Sequence, residues 1–517
     1  MKRIIKVILL TITLTILISC GKKGEYEFIN LSKEYKVKNS YVDLYFKEES
    51  DIAYIDVHEF IKMLNGVYYS NEFEFLKDLE NETLTINIEA QYDDEVISES
   101  LMLNVKDNII EVTNLDFFSI YIKQTETDYS EGLISLDPII EKGSKIIYEL
   151  TEYEFDILLL EERFYMPLFL TNLLFNQETY FDVYFNGETL YGIDTSDLNN
   201  ANMKKISKSK YNKEEASIEI VNASYNYAKF ITDYFYGLKE ERNIKSGKEF
   251  ITLEEFSNGD LNKNIFDFTK KYDDLHSSHI MRGYYNNNLN DFNYNDDSNL
   301  GYNVTKFYDG LERVQQQAIN YFGIKDDFIN ILEKEVINGD TLVIYLTEFK
   351  VETPKELEKI IKNTDDKKIN NIIIDLTFNL GGNLGAVLRI FSLMTNEEIW
   401  YHMINKLDGS KASYGVLGEK DAYDNFNYYI KTSSLTFSAA NLMVSIAKEL
   451  DVKVLGNKSS GGASPISFHI FPNGSIINIS SNTVLANDKF ESIEYGINPD
   501  YVMNDIYDRY EIREFLN

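Results

Sequence analysis

The chain has 517 residues, of which 44% are apolar and 14% aromatic, enough for about three domains with large cores. Lys and Arg number 51 against 84 Asp and Glu, a formal net charge of −33 that excludes a nucleic-acid backbone as partner, since such binding needs basic surface. The lone cysteine, Cys20, rules out an intramolecular disulfide, so stability has to come from burial.

At the start, Lys2, Arg3 and Lys6 precede an apolar run over 7–18, then Ser19-Cys20-Gly21 and Lys22-Lys23. That is the layout of a secretory signal, and the run is shorter than the ~20 residues a membrane span needs. The ending Leu17-Ile18-Ser19-Cys20 resembles the lipobox of bacterial lipoproteins. The resemblance implies a lipidated Cys20, a membrane partner through that lipid, and an extracytoplasmic location for everything after it. Residues 1–20 are thus expected as signal peptide and the Lys/Glu-rich stretch 21–39 as a tether.

Residues 40–200 read as an accessory α+β domain. Helices are expected over 56–64, 73–79 and 167–175, strands over 83–91, 119–123 and 181–185, and a hairpin about Asn186-Gly187. The pieces resemble the small α+β domain at the N-terminus of copper amine oxidases, which implies a spacer or recognition module. No catalytic cluster occurs in this region; His58 stands alone and reads as structural. A polar linker over 194–210 leads to a helical segment, 211–335. Its helices are expected over 216–239, 264–275 and 306–321, with Leu275-His276-Ser277-Ser278-His279 and an Asn/Asp/Tyr-rich loop over 284–303 between the last two.

Residues 336–517 alternate strand and helix patterns, which predicts an α/β core with a mostly parallel or mixed sheet. Strands are expected over 341–345, 372–376, 428–430 and 452–455, and helices over 354–362, 384–394 and 439–450. A long excursion spans 396–427, and a hairpin turns about Pro472-Asn473-Gly474. The Gly381-Gly382 turn and the Ser438 turn each follow a strand, so both face the crevice at the carboxyl edge of one sheet. Ser438, at a helix start, is either an N-cap or a nucleophile beside backbone N–H groups able to hold an oxyanion. Glycines let a backbone N–H approach a reacting group. A phosphate cradle would need a Lys-Ser/Thr ending that is absent.

The motifs IIIDLTFNLGG, SSLTFSAANL, VKVLGNKSSGG, IFPNGSIINIS and Glu494-Tyr495-Gly496-Ile497-Asn498-Pro499-Asp500 occur in that order. This order resembles the C-terminal processing peptidases, the tail-specific proteases and their relatives of the tricorn core, over about residues 213–505. The resemblance implies crotonase-like βαβ units and hydrolysis of peptides or unfolded polypeptides through a serine acyl-enzyme, without cofactor or metal. One family design uses a lysine in a Gly-Lys-Gly turn as base, but the matching turn here is Gly461-Gly462-Ala463, with Lys458 on the other side of the glycines. The tricorn-like design takes a histidine from upstream, and Ser278-His279 aligns with its Ser-His pair. The resemblance therefore implies Ser438 as nucleophile, His279 as base and Glu494 as orienting acid. Ala439 with Gly381 or Gly382 would supply the oxyanion N–H groups.

Alternatives stay open at this level. His469 or His402 would serve as base, His276 and His279 as weak metal ligands, and Glu494 as a surface ion-pair partner. Asn441 and Thr377 stand where many members carry glutamate and arginine, and no PDZ-type loop is evident. These departures motivate a second reading, a catalytically silent lipoprotein that binds peptide or an envelope component. A third is a lipoprotein whose N-terminal domain docks a partner.

Overall fold

The strand Asn371–Asp375 is buried along its whole length, and the main sheet grows outward from it. The order is Lys334–Ile337, Thr341–Tyr345, Asn371–Asp375, Asn427–Thr432, Lys453–Gly456, Tyr501–Val502; the first pair is antiparallel and the rest parallel. Parallel strands covered on both faces read as unbroken apolar runs, as Ile372-Ile373-Ile374 does. Alternate residues face opposite ways. Leu342, Ile344, Ile372, Ile374, Ile430 and Val454 join the core that includes helices Thr353–Lys362, Leu384–Ser392 and Ala439–Glu449. Val343, Ile373 and Leu455 pack with Ile512 of the helix Arg509–Leu516. Because Asn371–Asp375 and Asn427–Thr432 run parallel as neighbours, the turns that follow them open at the same edge.

The computed structural model describes residues 21–92, 95–127, 133–287, 300–325, 328–329, 331, 333–365 and 367–516. The signal run and Cys20 lie outside the described residues, as does 288–299 of the expected loop.

Several expectations are corrected. Lys22–Asn30, inside the expected tether, is a strand paired antiparallel with Ser40–Phe46 and parallel with Leu190–Asp194; Phe28 is its buried anchor. Residues 73–79 are not helical. Glu74–Asp78 pairs along Thr83–Tyr92, and that ladder outweighs the helix-like spacing of Phe73, Leu76 and Leu79. Residues 119–123 form no continuous strand; they follow the short 3-10 turn Leu115–Phe118, and Ile122 makes an isolated bridge to Tyr68. The excursion 396–427 holds the strands Glu398–Asn405 and Lys411–Leu417, which pair with each other.

The N-terminal part is also less separate than its composition suggests. Ile139–Glu141 pairs with Lys411–Leu417, and one apolar core runs from Phe28 to Ile493. The helices Ile218–Tyr234 and Leu261–Lys271 are followed by a strand, Ser278–Met281, which joins the hairpin Ile466–Ile470/Ile476–Ser480. That pairing carries the His-containing segment onto the α/β core.

Candidate active site

Ser438 ends a turn that is tied down almost atom by atom. Ser433 Oγ donates to the Thr377 carbonyl (2.6 Å), Thr436 Oγ1 to the Leu376 carbonyl (2.9 Å), and Phe437 N–H to the Asn379 carbonyl (3.1 Å). Ser438 N–H donates to the Gly461 carbonyl at 2.8 Å. Thus the serine turn is hydrogen-bonded both to the Gly381 turn and to the Gly461 turn. Within this frame Ser438 adopts φ 54°, ψ −125°, and its side chain makes no capping bond. A non-glycine residue in such a region costs about 1–3 kcal/mol and persists only where its surroundings over-determine it. The N-cap role, which would have used the hydroxyl, is therefore not the one observed.

The strain puts Ser438 against glycine. A Cβ on Gly381 (φ 113°) would lie 2.7 Å from Ser438 Cβ and 3.0 Å from Ala439 N, so no other residue fits there unchanged. Of the two expected glycine donors, Gly381 N–H donates to Asn379 Oδ1 at 2.8 Å. Among the described residues, Ala439 N–H at the helix start and Gly382 N–H donate to no acceptor. Gly382 is fixed by a bridge to Phe349, whose carbonyl accepts from Asn383 N–H at 2.9 Å.

A cavity of about 350 Å³ opens beside this turn, walled by Ser434, Phe437, Gly462, His276, Asp274 and Glu494. His276, not His279, faces it. The His276 ring rests on the ring of Phe437, the residue before Ser438, with centroids 4.7 Å apart. Its backbone is held at both ends: His276 N–H donates to Asp274 Oδ1 (2.9 Å), and its carbonyl accepts from Asn478 Nδ2 (2.7 Å). Burial pulls the imidazole below its usual pKa, opposed by the Asp274 charge and by the Ser464 carbonyl beside the ring. The ring is therefore neutral at pH 7, as a proton acceptor must be.

His279, the expected base, does not line this cavity. It lies on the strand Ser278–Met281, opposite Ile477, and its ring turns to the edge of Phe266 on the helix Leu261–Lys271 (5.9 Å). Its ring nitrogens are buried, and burial together with Arg282 drives its pKa down to about 3. Ser278 donates to Asn478 Oδ1 at 2.6 Å, locking the strand to the hairpin. The other histidines sit elsewhere: His469 Nε2 meets Ser467 Oγ (2.9 Å), His402 Nδ1 meets Ser413 Oγ (2.7 Å), and His58 stacks on Phe75.

Glu494 reaches the cavity but has other partners. Arg242 donates to Oε1 and Ala463 N–H to Oε2, both at 2.8 Å, in a position only 7% exposed. Burial lifts its pKa to about 7, with the Arg242 charge and the Ala463 N–H holding it down. It thus fixes the Gly461-Gly462-Ala463 turn rather than the imidazole. The carboxylate next to His276 is Asp274, which sequence reasoning missed. It accepts from Tyr236 and Ser277 on one oxygen and from His276 N–H and Ser480 on the other. The available signal was the Asp274-Leu275-His276 spacing, since an Asp two residues ahead of a backbone N–H commonly accepts from it. Asn441 ties the serine helix to the Glu494 segment: Nδ2 donates to the Ile493 carbonyl (3.0 Å) and Oδ1 accepts from Ser459 (2.7 Å).

Residues 340–503 match the sequence model of peptidase family S41. Among solved structures, the photosystem II D1 C-terminal processing protease is 14% identical over 32% of this chain and 42% of its own length, with a TM-score of 0.29. A lipoprotein from Streptococcus agalactiae is 15% identical over 57% of this chain and 96% of its own, at 0.33. The tricorn protease is 10% identical over 95% of this chain and 57% of its own, at 0.32. The chain therefore spans less than half of the first of these. No curated protein matches it.

Proposed function

We propose the following chemistry for this chain, which belongs to peptidase family S41 through residues 340–503 and is a serine-type peptidase: Ser438 attacks a peptide carbonyl while His276 takes its proton. The observation that carries this reading is the strained, uncapped Ser438, next to Gly381, directly after Phe437, whose ring meets the His276 ring in the cavity wall. A serine hydroxyl is a weak nucleophile until a neutral imidazole accepts its proton. The carbonyl oxygen, negative in the tetrahedral intermediate, is received by Ala439 N–H and Gly382 N–H. Asp274 favours the imidazolium through its charge and fixes the histidine backbone. The imidazolium then protonates the leaving amine, and water, deprotonated by the same ring, hydrolyses the acyl-enzyme. Glu494 and Arg242 act one step back, through the turn whose Gly461 carbonyl holds Ser438 N–H.

The α/β core is read as a crotonase-like unit serving peptide or unfolded polypeptide substrates. Export and anchoring through a lipidated Cys20, with residues 40–200 as an accessory module, complete the proposal. The test is peptide turnover by the full chain, lost in both Ser438→Ala and His276→Ala and retained in His279→Ala. Turnover that survives Ser438→Ala overturns the assignment. A silent peptide-binding lipoprotein is the second reading, favoured by one observation. Among the described residues Ser438 Oγ makes no hydrogen bond to the His276 ring. Such bonds are often long without substrate and tighten in the complex, so catalysis ranks first.

A further inference from the structure

The cavity wall carries four cations, Arg242, Lys306, Arg313 and Lys458. Arg242 is paired with Glu494. The two acids of the wall, Asp274 and Glu494, are buried and saturated by donors. Lys306, Arg313 and Lys458 are exposed at the mouth and make no ion pair among the described residues. Three cations that converge unpaired on one cleft leave it locally positive in a molecule of net charge −33.

Their placement relative to Ser438 is fixed. Lys306 and Arg313 lie two turns apart on the helix Tyr302–Phe322, about 10 Å along its axis. Between them Gly310 lets the helix close on the serine turn: a Cβ there would meet Ser434 Oγ at 2.6 Å. Val314 and Ala318 then pack on Leu435, three residues before Ser438. Lys458 belongs to the loop that leads from Lys453–Gly456 to the Gly461 turn. The charges are thus mounted on the elements that hold Ser438, and they line the cavity beside it.

We infer that this cleft selects peptides bearing an acidic side chain within a few residues of the bond presented to Ser438. The inference rests on the peptidase reading for the word "bond", but the charge recognition is measurable without turnover. The strong negative charge of the whole chain repels polyanions at long range, so the preferred ligand carries one or two carboxylates rather than an acidic run.

The test uses the full-length Ser438→Ala chain and three fluorescent, N-acetylated decapeptides. One has a central Glu and an amidated end, one a central Gln and an amidated end, and one a central Gln and a free carboxyl end. Fluorescence anisotropy gives each Kd. The Glu peptide is expected to bind about tenfold tighter than its Gln twin, as three part-exposed ion pairs allow. The gap closes in Lys306→Glu/Arg313→Glu/Lys458→Glu, and narrows in each single variant, with melting temperatures unchanged. Equal Kd values for the two amidated peptides overturn the inference. So does a gain confined to the free carboxyl end. Wild-type turnover of the Gln peptide reports separately on the peptidase reading, so either idea fails without the other.

Discussion

Replacing Gly381 by alanine adds one methyl group, 2.7 Å from Ser438 Cβ and 3.0 Å from Ala439 N, both below any ordinary Cβ contact. Neither neighbour is a flexible side-chain tip, so the serine turn or the glycine turn has to move. At φ 113° the alanine also carries backbone strain of roughly 1–3 kcal/mol. Displacing Ala439 N–H from the oxyanion position costs on the order of 10²–10³ in kcat, about 3–4 kcal/mol, with little change in KM. Gly409→Ala is the matched control: its φ is 77°, but a Cβ there meets nothing within 4 Å. It should lose stability and keep activity. The assay is steady-state hydrolysis of a fluorogenic peptide, with thermal melts of each variant. A folded Gly381→Ala chain whose kcat stays within about threefold of wild type would refute the geometry.

His276→Ala should lower kcat by about 10³ or more, whereas His279→Ala, outside the cavity lining, should cost about 1–3 kcal/mol of stability and little turnover. Equal kinetic losses in the two would contradict the exchange of roles. Since burial lowers the His276 pKa, the neutral base persists as pH falls, and the acid limb of kcat/KM should lie below the ordinary histidine value of 6.5. Asp274→Asn removes a charge that raises that pKa, so its limb should shift lower still, and a limb at or above 6.5 in wild type speaks against His276 as base. Glu494 has a folded pKa of about 7 against an ordinary glutamate value of 4.5, so the folded chain holds that proton more tightly. Its ionisation therefore costs stability as pH rises from about 4.5 to 7, on the order of 3 kcal/mol in total. Denaturation at several pH values should show that slope in wild type and its loss in Glu494→Gln.

The strands of the main sheet and the helices after Gly382 and Ser438 were legible because they are buried on both faces or along one full stripe. Their apolar periods reflect that directly. The hairpin about Asn473-Gly474 announced itself through its turn residues. Lys22–Asn30 and Glu74–Asp78 were misread because the partner strand decides such segments, and their residue partners lie 5 to 162 residues away. Ser438 and the glycines were legible as strand–turn–helix geometry. The choice between His276 and His279 was not, since it depends on the register that sets Ser278 opposite Asn478, and a slip of one residue turns every side chain over. The partners of Glu494 were equally hidden, because Arg242 arrives from 252 residues away.

Fluorophosphonate labelling followed by peptide mapping reaches the central claim most directly, since the reagent bonds only to a serine whose hydroxyl has been activated. The account predicts a single adduct on Ser438 in the wild-type chain, slowed strongly in His276→Ala and unaffected by His279→Ala. An adduct on another serine, or one whose rate ignores His276, would contradict it.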